Sequence, residues 1–189
     1  YGHHDRPASE NFIGGDPHDG PMPMDYFMWV ARGGDHTFVV DTGFNAEVSS
    51  KRKRTFLRCP VETLGAFDID ANAVEDVILT HLHYDHVGNF DRFPKARFHL
   101  QERELAYATG RFMRYPRLSH SFEVEDVCGI VRLNYARRVL FYDGDAEIAP
   151  GITIHAAGGH SAGLQFVRVR TRRGYVVLAS DVSHFYENM

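Results

Sequence analysis

Four potential metal ligands fall within six residues of this chain: His81, His83, Asp85 and His86, in the stretch Thr80-His81-Leu82-His83-Tyr84-Asp85-His86-Val87-Gly88-Asn89. Neutral imidazole nitrogens and carboxylate oxygens are the donors that Zn²⁺ and similar cations take. Spacing sorts them. His81 and His83 are two apart, so extended backbone turns both to one side and they can grip one metal together. Asp85 and His86 belong to the following turn and can face a second metal beside the first.

Three further polar residues stand directly after apolar runs. His160 lies in Gly158-Gly159-His160-Ser161-Ala162-Gly163, a glycine-rich loop that allows close backbone approach, and it offers a third nitrogen to the first metal. Asp181 follows the run Tyr175 to Ala179, and its two oxygens could bridge both metals. Asp41, after Thr37 to Val40, is better placed to orient a ligand histidine than to bind metal itself. Sites in α/β folds gather beyond the carboxyl ends of strands, so this shared placement points to one site. Two cations about 3.5–4 Å apart can share a water and lower its pKa towards about 7, while one of them polarises a carbonyl. His99 and His155 sit in strand patterns and read as structural; His36 and His120 read as turn or loop residues.

The elements that must position these groups follow from pattern. Residues 1–23 carry turn signals (Gly14-Gly15-Asp16-Pro17, Gly20-Pro21, Pro23) and read as loop, His3 and His4 included. Tyr26 to Arg32 reads as a strand, Gly33-Gly34-Asp35 as a hairpin turn and Thr37 to Val40 as the return strand. Residues 44–60 are polar and basic with poor periodicity. Val61 to Phe67 can form a short helix, and Val77 to Thr80 is a short, continuously apolar, buried strand. Ala96 to Leu100 is a strand, and Gln101 to Thr109 a helix closed by Gly110. Residues 111–122 form a basic, aromatic insertion, and Glu123 to Tyr135 has a helical apolar face. Val139 to Tyr142, Ile152 to His155, Leu164 to Arg170 and Tyr175 to Ala179 read as strands. The pattern is an α/β layer arrangement.

Composition narrows the class. The 189 residues make one ordinary domain or most of a larger one, and 43% hydrophobic content is enough for a packed core. A formal net charge of −4 gives no electrostatic reason to expect nucleic acid. The run Lys51-Arg52-Lys53-Arg54 reads as a solvated loop or helix face, with an anionic-substrate rim as the alternative. Cys59 and Cys128 have no CxxC partner and suit a reducing cytosol. No apolar run approaches the roughly 18 residues that span a bilayer, and no signal peptide is visible. The chain begins at Tyr1 without Met and stops at Met189 soon after a strand, so both ends read as cut.

These residues carry a family resemblance. His81-Leu82-His83-Tyr84-Asp85-His86 matches the HxHxDH signature of the metallo-β-lactamase superfamily. Asp41-Thr42-Gly43, Gly159-His160-Ser161-Ala162-Gly163 and Ser180-Asp181 fall where that superfamily has its further motifs. The resemblance runs from the first hairpin to Asp181. It implies an α/β fold, the αββα sandwich with a binuclear site at one edge of the two sheets, and a single domain over residues 1–189 that is truncated at both ends. It also implies a last histidine for the second metal some tens of residues past Asp181. A chain of only these residues is then expected to have a weakened second site. Class B1 β-lactamases have Cys where Asp181 stands, and flavodiiron proteins typically have Glu in place of the second His, so both activities are disfavoured. The His86–His160 interval of 74 residues, Asp41-Thr42-Gly43-Phe44 and the tail ending Glu187-Asn188-Met189 look like the N-acyl-homoserine lactonase branch. That branch usually has Tyr three residues past the bridging Asp. Here the position is His184, with Tyr186 two further on, and His184 could donate the same hydrogen bond.

The resemblance therefore implies a cytoplasmic metallohydrolase that opens a lactone or related ester by attack of a hydroxide shared between two metals. His184 or Tyr186 would hold the tetrahedral oxyanion, and Asp85 would pass a proton to the leaving alkoxide. Tyr26, Phe27 and Met28, with Phe112 and Tyr115, would line an acyl pocket. Two divalent ions per chain are expected, zinc by default, with iron, manganese or cobalt fitting the same ligands. The expected partner is a small-molecule lactone or ester, with neither nucleic acid nor membrane; a homodimer is compatible with the sequence. The alternative activity is a glyoxalase-II-like thioesterase whose residues 51–54 meet glutathione carboxylates. A second alternative is a non-catalytic metal-binding interaction protein on the same scaffold.

Overall fold

Among the described residues the strands run, in chain order, β1 (Gly2–His4), β2 (Met24–Tyr26), β3 (Trp29–Gly33), β4 (His36–Val40), β5 (Thr55–Phe56), β6 (Asp76–Ile78), β7 (Arg97–Gln101), β8 (Val139–Tyr142), β9 (Ala146–Ala149), β10 (Ile152–Ala156), β11 (Gln165–Thr171) and β12 (Gly174–Leu178). The α-helices are α1 (Ala46–Lys51), α2 (Pro60–Thr63), α3 (Tyr84–Val87), α4 (Glu102–Ala108), α5 (Pro116–Ser119) and α6 (Val124–Tyr135). This computed structural model describes every residue except Ile13, Asp16, Gly34, Asp35 and Met189. The expected turn at Gly34-Asp35 therefore lies outside the described residues, as do Asp16 and Met189 of the other sequence signals.

Two sheets carry the domain. A five-stranded sheet has the order β3-β4-β6-β7-β8, antiparallel at β3/β4 and parallel from β4 to β8. An antiparallel four-stranded sheet has the order β12-β11-β10-β9. Alternation along the strands decides the layers. Val39, Val77, Phe98 and Leu100 face a core shared with Leu105 of α4 and Val127 and Ile130 of α6. Phe38, Val40 and Ile78 point the other way and meet Ile154 and Val167 of the second sheet. This gives helices on sheet on sheet, with Val77 and Ile78 wholly buried at the centre.

Several local expectations change. The run Tyr26 to Arg32 is not one strand: it breaks at Phe27-Met28, because Tyr26 pairs with Gly2 whereas Trp29 pairs with Val40 in another sheet. His3 and His4 are in β1 of a small β2-β1-β5 sheet rather than in loop. Residues 44–60 contain α1, whose start is capped by the Asn45 side chain accepting the Val48 N–H at 2.9 Å. The basic run is only partly solvated. Lys51 and Arg52 pair with Glu123 at 2.6 and 2.8 Å, and Arg54 donates to the Tyr84 hydroxyl at 3.1 Å. His99 is a buried structural residue, bonded to Asp76 and Tyr142.

One half-buried group works against folding. Burial, with Glu123 and Asp91 nearby, pushes the Asp126 carboxyl up to about 6. Its Oδ2 is buried without a hydrogen-bond partner. A carboxyl whose pKa is raised on folding loses stability as pH climbs from its unfolded value to its folded one, and the deficit is complete above that. Asp126→Asn is therefore expected to raise stability by about 1 kcal/mol at neutral pH, after allowance for partial solvent exposure. The gain should vanish below the unfolded carboxylate value. Denaturant titrations on either side of that window check this; a gain equal at both pH values would contradict it.

Candidate metal centre

The polar residues that end the strands converge at one edge of the sandwich. His81 and His83 lie in the loop that follows β6, and His83, in extended backbone, is the N-cap position of α3, which carries Asp85 and His86. His160 comes from the loop between β10 and β11, and Asp181 from the turn after β12. Two ligand groups form, each with its donor atoms within 4.8 Å of one another: His81, His83, His160 and Asp181, and Asp85, His86 and Asp181.

Asp181 belongs to both groups, and its two oxygens divide between them. Oδ2 lies 3.1 Å from His160 Nε2 and 3.8 Å from His81 Nε2; Oδ1 lies 3.5 Å from His86 Nε2. His83 Nδ1 and His160 Nε2 are 3.0 Å apart. His86 Nε2 also lies 3.5 Å from Asp85 Oδ2. The Nε2 atoms of His81 and His86 are buried without a hydrogen-bond partner. Buried polar atoms are rarely left unpaired, so nitrogens aimed together at a carboxylate fit divalent cations.

Electrostatics prepare the nitrogens of His81 and His83. Burial holds His81 well below the ordinary histidine range and, with His160 beside it, lowers His83 to about 3, so both are neutral, the form that binds metal. Burial opposes charge on His86 too, but the Asp41, Asp85 and Asp181 carboxylates outweigh it and raise its pKa. Asp181 is held well below the carboxylate range: burial pushes it up, and His86, His160 and His184 overcome that.

Asp41 sits where an orienting group must. Its Oδ2 is 2.8 Å from His86 Nδ1, which leaves Nε2 facing the cluster. Asp41 is fully buried with φ 62°, and its Oδ1 accepts the Thr80 N–H at 2.7 Å. Thr80 Oγ1 is also within 3.0 Å of both Asp41 oxygens and 2.9 Å of Ser180 Oγ.

A family model described as the metallo-beta-lactamase superfamily matches residues 23–189. The chain belongs to the metallo-β-lactamase superfamily. Among relatives, an N-acyl homoserine lactonase of Bacillus sp is 31% identical over 113 residues, 59% of this chain and 40% of that protein. The N-acyl homoserine lactonase AiiB of Rhizobium rhizogenes is 29% identical over 131 residues, 67% of this chain and 47% of its own. The chain thus spans less than half the length of these curated relatives. An N-acyl homoserine lactone hydrolase solved with N-hexanoyl-L-homoserine at its catalytic metal centre superposes with TM-score 0.74 at 19% identity, covering 99% of this chain and 78% of that one. AidC, a dizinc lactonase, superposes with TM-score 0.61 at 17% identity, covering 85% and 56%. These superpositions establish the metallo-β-lactamase fold.

Beside this superfamily site opens a cleft of about 250 Å³, lined by Tyr1, Met24, Tyr26, Phe27, Trp29, Asp85 and His184 among others. Tyr26 and Phe27 are thus on its wall. Met28 is not: it faces a separate apolar hollow with Val30 and Leu64, because the break after Tyr26 turns it the other way. Phe112 and Tyr115 are not either. They sit on a surface 3-10 turn and are 41% and 52% exposed; Phe112 reaches His83 only through the rings of Tyr107 and Phe122. His184 lies in the cleft with Nε2 3.0 Å from Asp181 Oδ2. Tyr186 is 88% exposed and points into solvent, so His184 alone of the two is near the cluster. Sequence reasoning missed Tyr1 and Trp29 of the cleft and Thr80 beside Asp41. Only Thr80 carried a signal, as the polar residue directly before His81.

Proposed function

We propose that this chain carries a two-metal hydrolytic site that opens a lactone or a related carboxylic ester. The observation that carries the reading is the Asp181 carboxylate, with one oxygen toward each ligand group. Two divalent cations held there would make a water nucleophilic at neutral pH and act as Lewis acids on a carbonyl oxygen. Zinc is the default cation for such a His/Asp donor set.

The chain's own residues divide the remaining work. His81, His83 and His160 would hold one cation; Asp85 and His86 would hold the other, with Asp41 keeping His86 Nδ1 occupied. His184 stands in the cleft, where its ring can donate a hydrogen bond to the substrate carbonyl and to the charge that develops there. Asp85 lines the same cleft and can carry a proton to the departing alkoxide. Tyr26, Phe27 and Trp29 form an apolar wall suited to an acyl substituent. The lactonases that the chain resembles support the lactone over other esters.

The thioesterase reading loses support. Residues 51–54 do not line the cleft, and Lys51, Arg52 and Arg54 are occupied by Glu123 and Tyr84. Rates on an acyl-homoserine lactone and on a glutathione thioester, with zinc-loaded protein, test the choice. The lactone should turn over faster, and His83→Ala should reduce that rate to background. Equal rates for His83→Ala and the parent chain would remove the site from the chemistry.

A further inference from the structure

The loop that carries His81 and His83 and the loop that carries His160 meet over a buried carboxylate, beside the Gln165 N–H and Nε2, which donate to the Thr80 and Leu79 carbonyls at 2.9 and 2.8 Å. Glu104, on the first turn of α4, has no exposed surface. Its Oε1 accepts the backbone N–H of Leu82 at 3.0 Å. Its Oε2 accepts the Ser161 hydroxyl at 2.6 Å and the Gly163 N–H at 2.9 Å. Leu82 stands between His81 and His83, and Ser161 directly follows His160. The second loop approaches so closely that a Cβ on Gly163 would lie 2.2 Å from the Glu104 nitrogen.

Burying a carboxylate costs several kcal/mol unless its oxygens are satisfied. Here the donors come from the two ligand loops, which are 77 residues apart at His83 and His160, and which share no strand pairing. Carboxylate oxygens accept only, so one group can hold donors on both sides at once. We infer that Glu104 is a positioning residue for the first ligand group: it sets the separation of the His81–His83 segment from His160. The inference rests on the metal-site reading above.

The carboxamide of glutamine has nearly the same shape but one acceptor oxygen. Whichever way it turns, its NH2 faces either the Leu82 N–H or the Gly163 N–H. Glu104→Gln therefore sets donor against donor in one loop without emptying the space.

The test uses the full chain, with Zn²⁺ titrated against a chromophoric chelator and Co²⁺ read by its visible spectrum. Glu104→Gln should weaken the metal held by His81, His83 and His160 by about 10- to 100-fold, the usual effect of removing a group that braces metal ligands. The Co²⁺ bands of that site should shift, and affinity at the Asp85–His86 group should change little. Unchanged affinity and spectrum would overturn the inference while leaving the metal reading intact. Equal loss at both groups, with a lowered Tm of the metal-free chain, would also overturn it, as the mark of a merely structural role. A parent chain that binds no metal would overturn both readings. If Glu104→Gln fails to fold, Ser161→Ala removes one donor only. It should weaken the first metal by a smaller factor, and an unchanged affinity there would overturn the inference.

Discussion

Exchange of Asp181 for asparagine is expected to cost about a thousandfold or more in kcat and to end paired metal binding. The expectation comes from geometry. Oδ2 faces His160 and His81, and Oδ1 faces His86, so both oxygens are committed to different ligand groups. Asparagine keeps one oxygen and turns an NH2 toward one of the groups. The full negative charge that would offset two nearby cations is lost with it. Metal assistance is worth several kcal/mol, and each 1.36 kcal/mol is about tenfold in rate. Metal quantification and steady-state lactone hydrolysis on the same preparation would measure both effects. An Asp181→Asn protein that binds two equivalents and turns over at the parent rate would sink the shared-carboxylate reading.

Gly163→Ala is expected to give the largest loss of stability among single-methyl additions at this site. The new Cβ would sit 2.2 Å from the backbone nitrogen of Glu104 and 2.6 Å from its Cα. Those are main-chain atoms at the start of α4, so relief requires moving a helix or the His160 loop. Overpacking a close-packed region costs typically about 1–3 kcal/mol, and a backbone clash belongs at the upper end. Urea unfolding with a far-ultraviolet signal would register the change as a lowered midpoint. Gly159→Ala is the useful comparison. Gly159 has φ 87° but nothing near its missing Cβ, so its penalty is backbone strain alone. If Gly163→Ala unfolded at the parent midpoint, the close approach would not be real. This also separates two reasons for glycine in one motif: Gly158 and Gly159 for left-handed backbone, Gly163 for clearance.

The distinction bears on what could be read in advance. His81, His83, Asp85 and His86 were legible because they are neighbours, and local spacing alone turns them toward common points. Asp41, His160 and Asp181 were legible for a different reason. Each follows an apolar run, and strands of an open sheet deliver their ends to one edge. The α/β layering was legible in the mix of strand and helix patterns, whereas the division of Phe38, Val39 and Val40 between two cores came only with the structure.

The wall of the cleft was harder. Met28 follows Phe27 directly, yet the two face different hollows, because pairing with Gly2 ends at Tyr26 and pairing with Val40 starts at Trp29. Composition cannot report where a strand changes sheet. Phe112 and Tyr115 had the chemistry for an acyl pocket but lie on a surface turn. The basic run at 51–54 looked free because its partners, Glu123 and Tyr84, are distant in sequence.

By itself, then, the sequence determined the family, the candidate donor atoms and a grouping that the structure's two clusters match, because those depend on residue type, short spacing and the ends of apolar runs. Only the tertiary structure decided that Asp181 divides its oxygens, that His184 rather than Tyr186 stands at the cluster, and that Glu104 joins two ligand loops. His184 is only three residues from Asp181, yet spacing alone did not separate it from Tyr186. Each of the other two is a contact between segments whose separation along the chain carries no local signal. It exists because packing two sheets and a helix brings their ends to within hydrogen-bonding distance.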